Sequence, residues 1–153
     1  MSSFLSIEFE KLKADLIKAY DQKGMRASGD FADSLEVVQP SENIIQLWGN
    51  DYAQQLETGR QSGKAPPRDA IEKWIEDKGI ANNLNNDITK SQLSFLIARK
   101  IARQGWKREG YGGVELISEV VTDERIDKII KEVGVNKTVE YTTEIIKLIK
   151  ELA

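Results

Sequence analysis

Pro66 and Pro67 stand side by side. Each ring fixes φ and removes a backbone donor, so no helix interior or central strand accommodates the pair. The stretch that opens at Tyr52 ends there, and a new element begins. Pro67 suits the first position of a helix, where its missing N–H costs nothing. Ile71, Trp74 and Ile75 follow at i, i+3 and i+4 and predict a helix with one apolar face, closed by Gly79.

Ahead of the prolines, Leu5, Phe9, Leu12, Leu16 and Tyr20 fall on one stripe of an amphipathic helix, with Gly24 as its stop. FADSLEVV, Phe31 to Val38, reads as a strand, and Gln39 to Asn43 reads as a turn. Ile44 to Trp48 is β-branched and aromatic and suits the returning strand, with Ile45 and Leu47 on one face and Ile44, Gln46 and Trp48 on the other. Gly49-Asn50-Asp51 predicts a bulge or bend, and Tyr52 to Gly59 the strand-like end of the hairpin.

Beyond the prolines, Thr89 and Gln92 fit a capping box for a helix that buries Leu93, Leu96, Ile97 and Ile101 and stops at Gly105. Gly110 to Gly113 reads as a turn. Val114 to Val121 reads as a third strand, although its Glu and Val also suit a helix running on toward Ile126. Thr122 caps a helix burying Ile126, Ile129, Ile130 and Val133, and Gly134 ends it. Tyr141, Ile145, Leu148 and Leu152 mark a last helix. The order predicts an α+β fold, with residues 1–134 as the core domain and 135–153 as a C-terminal helix or arm. Trp48, Trp74 and Trp106 are expected in the core, although one exposed tryptophan would suit an interface.

The chemistry is narrowed by two absences. The chain has no histidine and no cysteine, which removes serine–histidine catalysis, thiol nucleophiles and the common zinc sites. No acidic pair sits on a converging motif, and Asp123 and Glu124 fall in a first helical turn, where acids are expected anyway. No catalytic residue, metal site or cofactor is therefore expected. No apolar run approaches the roughly 18 residues of a membrane span, and the N-terminal segment is acidic and amphipathic, unlike a signal peptide. A net charge of −3 gives no global sign of nucleic-acid binding.

Two segments invite a binding role. Gly59, Gly63 and Lys64 suggest a phosphate loop, but three residues separate the glycines where four are needed, Ala65 replaces the metal-binding hydroxyl, and the prolines remove two donors. The expectation is instead a flexible basic loop, Arg60 to Ala65, that makes partner contacts. Arg99 to Arg108 holds Arg99, Lys100, Arg103, Lys107 and Arg108 with no acid and with Trp106 among them. A solvated helix face, a protein contact and a nucleic-acid contact all fit it. Glu57 sits where a carboxylate could bind a neighbouring arginine or cap the loop.

The order of these pieces resembles the tail-completion or head–tail connector proteins of tailed bacteriophages. The resemblance rests on the N-terminal helix, Ala27 to Val37, Ile45 to Gly49, the Tyr-Ala-x-x-x-Glu-x-Gly pattern from Tyr52 to Gly59, Pro66-Pro67, the helix around Trp74, and Ala98 to Gly105. It covers roughly residues 5 to 110; the two helices after the prolines and the chain beyond Thr122 depart from the usual pattern. The resemblance implies a non-catalytic virion protein of the neck or tail. Such a subunit is made in the host cytoplasm, forms a ring with itself, commonly six- or twelve-fold, and touches portal and tail proteins. DNA would be only passing cargo in the lumen. Candidate subunit-interface residues are Tyr52, Glu57, Arg60, Lys64, Arg99, Arg103, Trp106, Lys107 and Arg108. The alternative is a small nucleic-acid-binding regulator that uses Arg99 to Arg108.

Overall fold

The computed structural model describes residues 4–84, 87–107 and 115–151. The fold is α+β: helices surround one antiparallel β-hairpin. Helix α1 (Phe4–Gln22) buries Leu12, Leu16 and Tyr20, the deeper part of its predicted stripe. Around Leu16 and Tyr20 the main core gathers Phe31, Leu35, Leu56 and Leu116, with Leu47 and Trp106 packed against it.

Phe31 does not begin a strand. Asp30–Ser34 is a short helix, α2. Gly29 turns the chain with φ 97° and its carbonyl accepts from Asp33 N at 3.1 Å. The acids Asp30 and Asp33 lie where an N-terminal helix turn favours them. Phe31, Ala32 and Leu35 then share one helical face and are all buried, a spacing that an alternating reading of the same residues hides.

Strand β1 (Glu36–Ser41) pairs with β2 (Ile44–Trp48), setting Val37 opposite Leu47 and Glu36 opposite Trp48. β1 runs through Pro40, so the turn is confined to Glu42 and Asn43. The register is irregular between Val38 and Ser41, where proline has no donor for the ladder. Ile45 and Leu47 are half-buried and Ile44, Gln46 and Trp48 exposed, as the alternation predicts.

Tyr52 to Gly59 is not strand-like: Ala53–Thr58 is a helix, α3, that buries Leu56. After the prolines, α4 (Arg68–Asp77) and α5 (Lys90–Gln104) form a helical hairpin around a second core of Ile71, Ile75 and Ala98, with a 3₁₀ turn at Ile80–Asn83 between them. Pro67 stands at the cap of α4, and Gly79, with φ 68°, closes it. The capping box of α5 is complete: Thr89 Oγ1 accepts from Gln92 N, and the Gln92 side chain accepts from Thr89 N. The buried stripe of α5 runs through Ser94 and Ala98, flanked by Leu93, Ile97 and Ile101. Leu96, expected inside, is exposed. Ser94 faces α4, where its hydroxyl donates to the Glu72 carboxylate at 3.1 Å.

Leu116–Val120 is a helix, α6, so the strand expected there is absent from the described part of Val114 to Val121. Val114 and the Gly110–Gly113 turn lie outside the described residues. Thr122 caps α7, its hydroxyl accepting from Arg125 N at 3.2 Å. Gly134 does not end that helix. α7 runs unbroken from Asp123 to Glu151; a glycine in a helix costs only about 1 kcal/mol against alanine. Its first half packs on α1, where Arg125 pairs with Asp15 at 2.7 Å. Ile129 is buried, Ile126 and Val133 are half-buried, and Ile130 is exposed. Leu152 lies outside the described residues.

Candidate functional site

The basic loop and the basic helix end, far apart in sequence, meet in space. Gly59, with φ 75°, turns the chain out of α3. Arg60 and Trp106 then form an isolated antiparallel bridge: Arg60 N donates to Trp106 O at 2.9 Å and Trp106 N to Arg60 O at 2.6 Å. Gly63 N donates to Ala102 O at 2.8 Å, and the Arg60 guanidinium donates to Lys64 O at 2.8 Å across the loop. A tied loop of this kind is not the flexible projection expected from its sequence. Gly105 makes the approach possible, because a Cβ there would lie 2.2 Å from Arg60 O.

The result places Arg60 and Lys64 beside the last turns of α5, which carry Arg99 and Arg103, and beside Lys107. Lys64, Arg99, Arg103 and Lys107 are exposed. Among the described residues none of these four, nor Lys100, is in an ion pair. Trp106 is half-buried and packs on the main core, so its ring is not free to act as a surface platform. Arg108 lies outside the described residues.

Glu57 and Tyr52 do different work. The Glu57 carboxylate accepts from Ile117 N at 2.7 Å, from Ser118 N at 3.2 Å and from the Ser118 hydroxyl. It caps the start of α6, and among the described residues no arginine takes part. Helix α6 is too short for the sequence to announce; what holds it is this cap together with the burial of Leu116. Tyr52 is partly exposed, its ring 6.4 Å from that of Phe31. Burial pushes its hydroxyl pKa up, opposed by the Asn50 side chain. Behind them the Tyr20 ring packs tilted against that of Phe31 at 4.8 Å, and burial, reinforced by Tyr52, pushes its pKa up to about 12.

Two of the three tryptophans expected in the core are outside it. Trp48 is 56% exposed and Trp74 41%. On the outer face of the hairpin Trp48 lies opposite Glu36, with Ile44 also exposed. On the α4–α5 hairpin Phe95 is exposed beneath the Arg68 guanidinium, 5.7 Å from its ring. Among the described residues no group of acids is arranged to hold a metal ion, and no helix is long and apolar enough to cross a membrane. No protein-family model matches the chain, and neither the curated proteins nor the solved structures compared with it give a match.

Proposed function

We propose that this chain is a non-catalytic structural subunit of the neck or tail junction of a tailed-phage virion, associating head-to-tail into a ring. The observation that carries the reading is what the fixed points of the Tyr-Ala-x-x-x-Glu-x-Gly pattern do here. Glu57 caps α6 and Gly59 turns the chain into the Arg60–Trp106 bridge. Two of the four fixed positions of the pattern thus each hold a separate part of the fold.

A ring contact is heterologous and needs two different surfaces on each subunit. The outer hairpin face offers Trp48 beside the acid Glu36, with Ile44 exposed at the turn end opposite Ser41. The loop-and-helix surface offers the exposed cations Lys64, Arg99, Arg103 and Lys107. An aromatic and acidic face against a cationic one is the complementarity such a contact uses. On this reading the partners are further copies, portal and tail proteins, and DNA passes through the lumen without being read. A net charge of −3 suits a lining along which DNA slides.

Negative-stain microscopy of concentrated protein tests the reading. Rings lost on Trp48→Ala or on Arg99→Glu with Arg103→Glu support it. Absence of the chain from purified particles of a phage that encodes it overturns it. The exposed cations also favour a second reading, a nucleic-acid-binding regulator. Tight DNA binding with a steep salt dependence, lost on Arg99→Ala with Arg103→Ala, is the result that selects it.

A further inference from the structure

The two outer edges of the β-hairpin are in different states. The turn at Glu42 and Asn43 closes on Ser41 and Ile44. A two-residue turn closes on a hydrogen-bonded pair, so Ile44, Gln46 and Trp48 direct their backbone groups at β1, while Ile45 and Leu47 direct theirs outward. Among the described residues no backbone bond reaches Ile45 or Leu47 from another element. The edge of β1 is guarded. Pro40 lacks a donor, Glu36 is charged, the register breaks between Val38 and Ser41, and Val37, Val38 and Gln39 are half-buried in succession. Proline, charge and bulges are the devices that keep an edge from pairing. β2 has none of them. Its sequence, IIQLW, holds no proline and no charge, and Ile44 and Trp48 are 51% and 56% exposed.

We infer that β2 pairs, antiparallel and edge to edge, with β2 of a second copy of the chain about a two-fold axis at Gln46. The outward groups of Ile45 then meet those of the partner's Leu47, and the reverse, which joins two hairpins into one continuous sheet. The strand itself selects a second copy. Its exposed apolar side chains, Ile44 and Trp48, stand at equal distances on either side of Gln46. This register therefore sets Ile44 opposite the partner's Trp48 at both ends, and aromatic and β-branched residues are favoured cross-strand pairs. The central glutamines face one another, and each amide both donates and accepts. An unrelated strand has to match an apolar side chain at both ends; a second copy does so by symmetry. β2 carries no charge with which to choose an acidic or a basic strand. Addition to the β1 edge of another copy is opposed by Pro40 and Glu36. The pairing is isologous and stops at two copies. It uses the edge of the hairpin rather than its outer face and does not depend on the neck role.

Native mass spectrometry and sedimentation across a concentration series test it on the full chain. Self-association is expected. Gln46 is exposed, so its replacement leaves the core alone. Gln46→Lys and Gln46→Glu each set like charges opposite one another and should weaken the dimer roughly tenfold. An equal mixture of the two variants should restore it as a heterodimer. Because the chain has no cysteine, Gln46→Cys should oxidise to a disulfide-linked dimer. Ile44→Cys should not, since in this register it lies about 14 Å from its own counterpart, beyond the reach of a disulfide. A monomer at every concentration overturns the pairing. So does equal disulfide formation at both positions, or a mixture no more associated than its components. Oligomers lost on Gln46→Lys but kept on Gln46→Glu belong to a contact with the cationic surface and also overturn it.

Discussion

Gly105 touches the backbone of Arg60 so closely that any side chain at this position would overlap the Arg60 carbonyl, at 2.2 Å. The contact lies within the two-way bridge that ties the loop after α3 to the end of α5. It couples the main core, to which Trp106 belongs, to the helical hairpin of the second core.

Gly105→Ala is expected to destabilise the protein by about 2–4 kcal/mol, combining a positive φ of 72° with steric overlap that only a backbone shift relieves. Urea denaturation checks the magnitude. Tryptophan fluorescence should shift as Trp106 loosens, and an unchanged unfolding midpoint would count against the bridge as a structural tie.

Glu57→Ala leaves the amides of Ile117 and Ser118 without their acceptor. A loss of about 1–3 kcal/mol is expected, with Glu57→Gln falling between the two because its amide oxygen still accepts. Hydrogen exchange should speed up at Ile117 and Ser118 first, since these are the amides that the carboxylate holds.

Tyr20 makes stability depend on alkaline pH. Its hydroxyl ionises near 10.0 in the unfolded chain and at about 12 in the folded one. The folded state thus retains the proton longer, and stability falls as pH rises from the lower value to the upper and levels off beyond it. The part due to this group is on the order of 2 kcal/mol. Tyr20→Phe keeps the ring against Phe31 and should flatten the slope of stability against pH over that interval; an unaltered slope would refute the assignment.

Trp48→Ala and Trp74→Ala are expected to cost less than a core truncation, about 1 kcal/mol, because both residues are exposed. Ile75→Ala, at a side chain with no exposed surface, should cost about 2–5 kcal/mol. Chemical denaturation of the three variants separates surface rings from core.

Where elements are long and periodic, the chain announces them. The stripe from Leu12 to Tyr20, the alternation from Ile44 to Trp48 and the Thr89–Gln92 box all describe local geometry that neighbours merely reinforce. Helices of five or six residues are different. α2, α3 and α6 are held by tertiary burial of Phe31, Leu56 and Leu116, and no window that short carries a helical period. Gly134 misleads in the other direction, since a glycine stops a helix only when the next residues leave it, and here Val135 and Asn136 remain helical. The basic residues of the site could be named from sequence, but their meeting could not. It depends on hydrogen bonds between backbones distant along the chain, and on a glycine whose role is to leave room.

The unbroken course of α7 has a mechanical consequence. The helix is anchored at its root by Thr122 and Arg125 and again near its middle by Lys137 on Glu42. Beyond that point about 21 Å of helix stands clear as a cantilever. A load on this overhang reaches the body as a torque about the Lys137–Glu42 contact, so whatever grips Ile145 or Leu148 also pries at the tip of the β-hairpin.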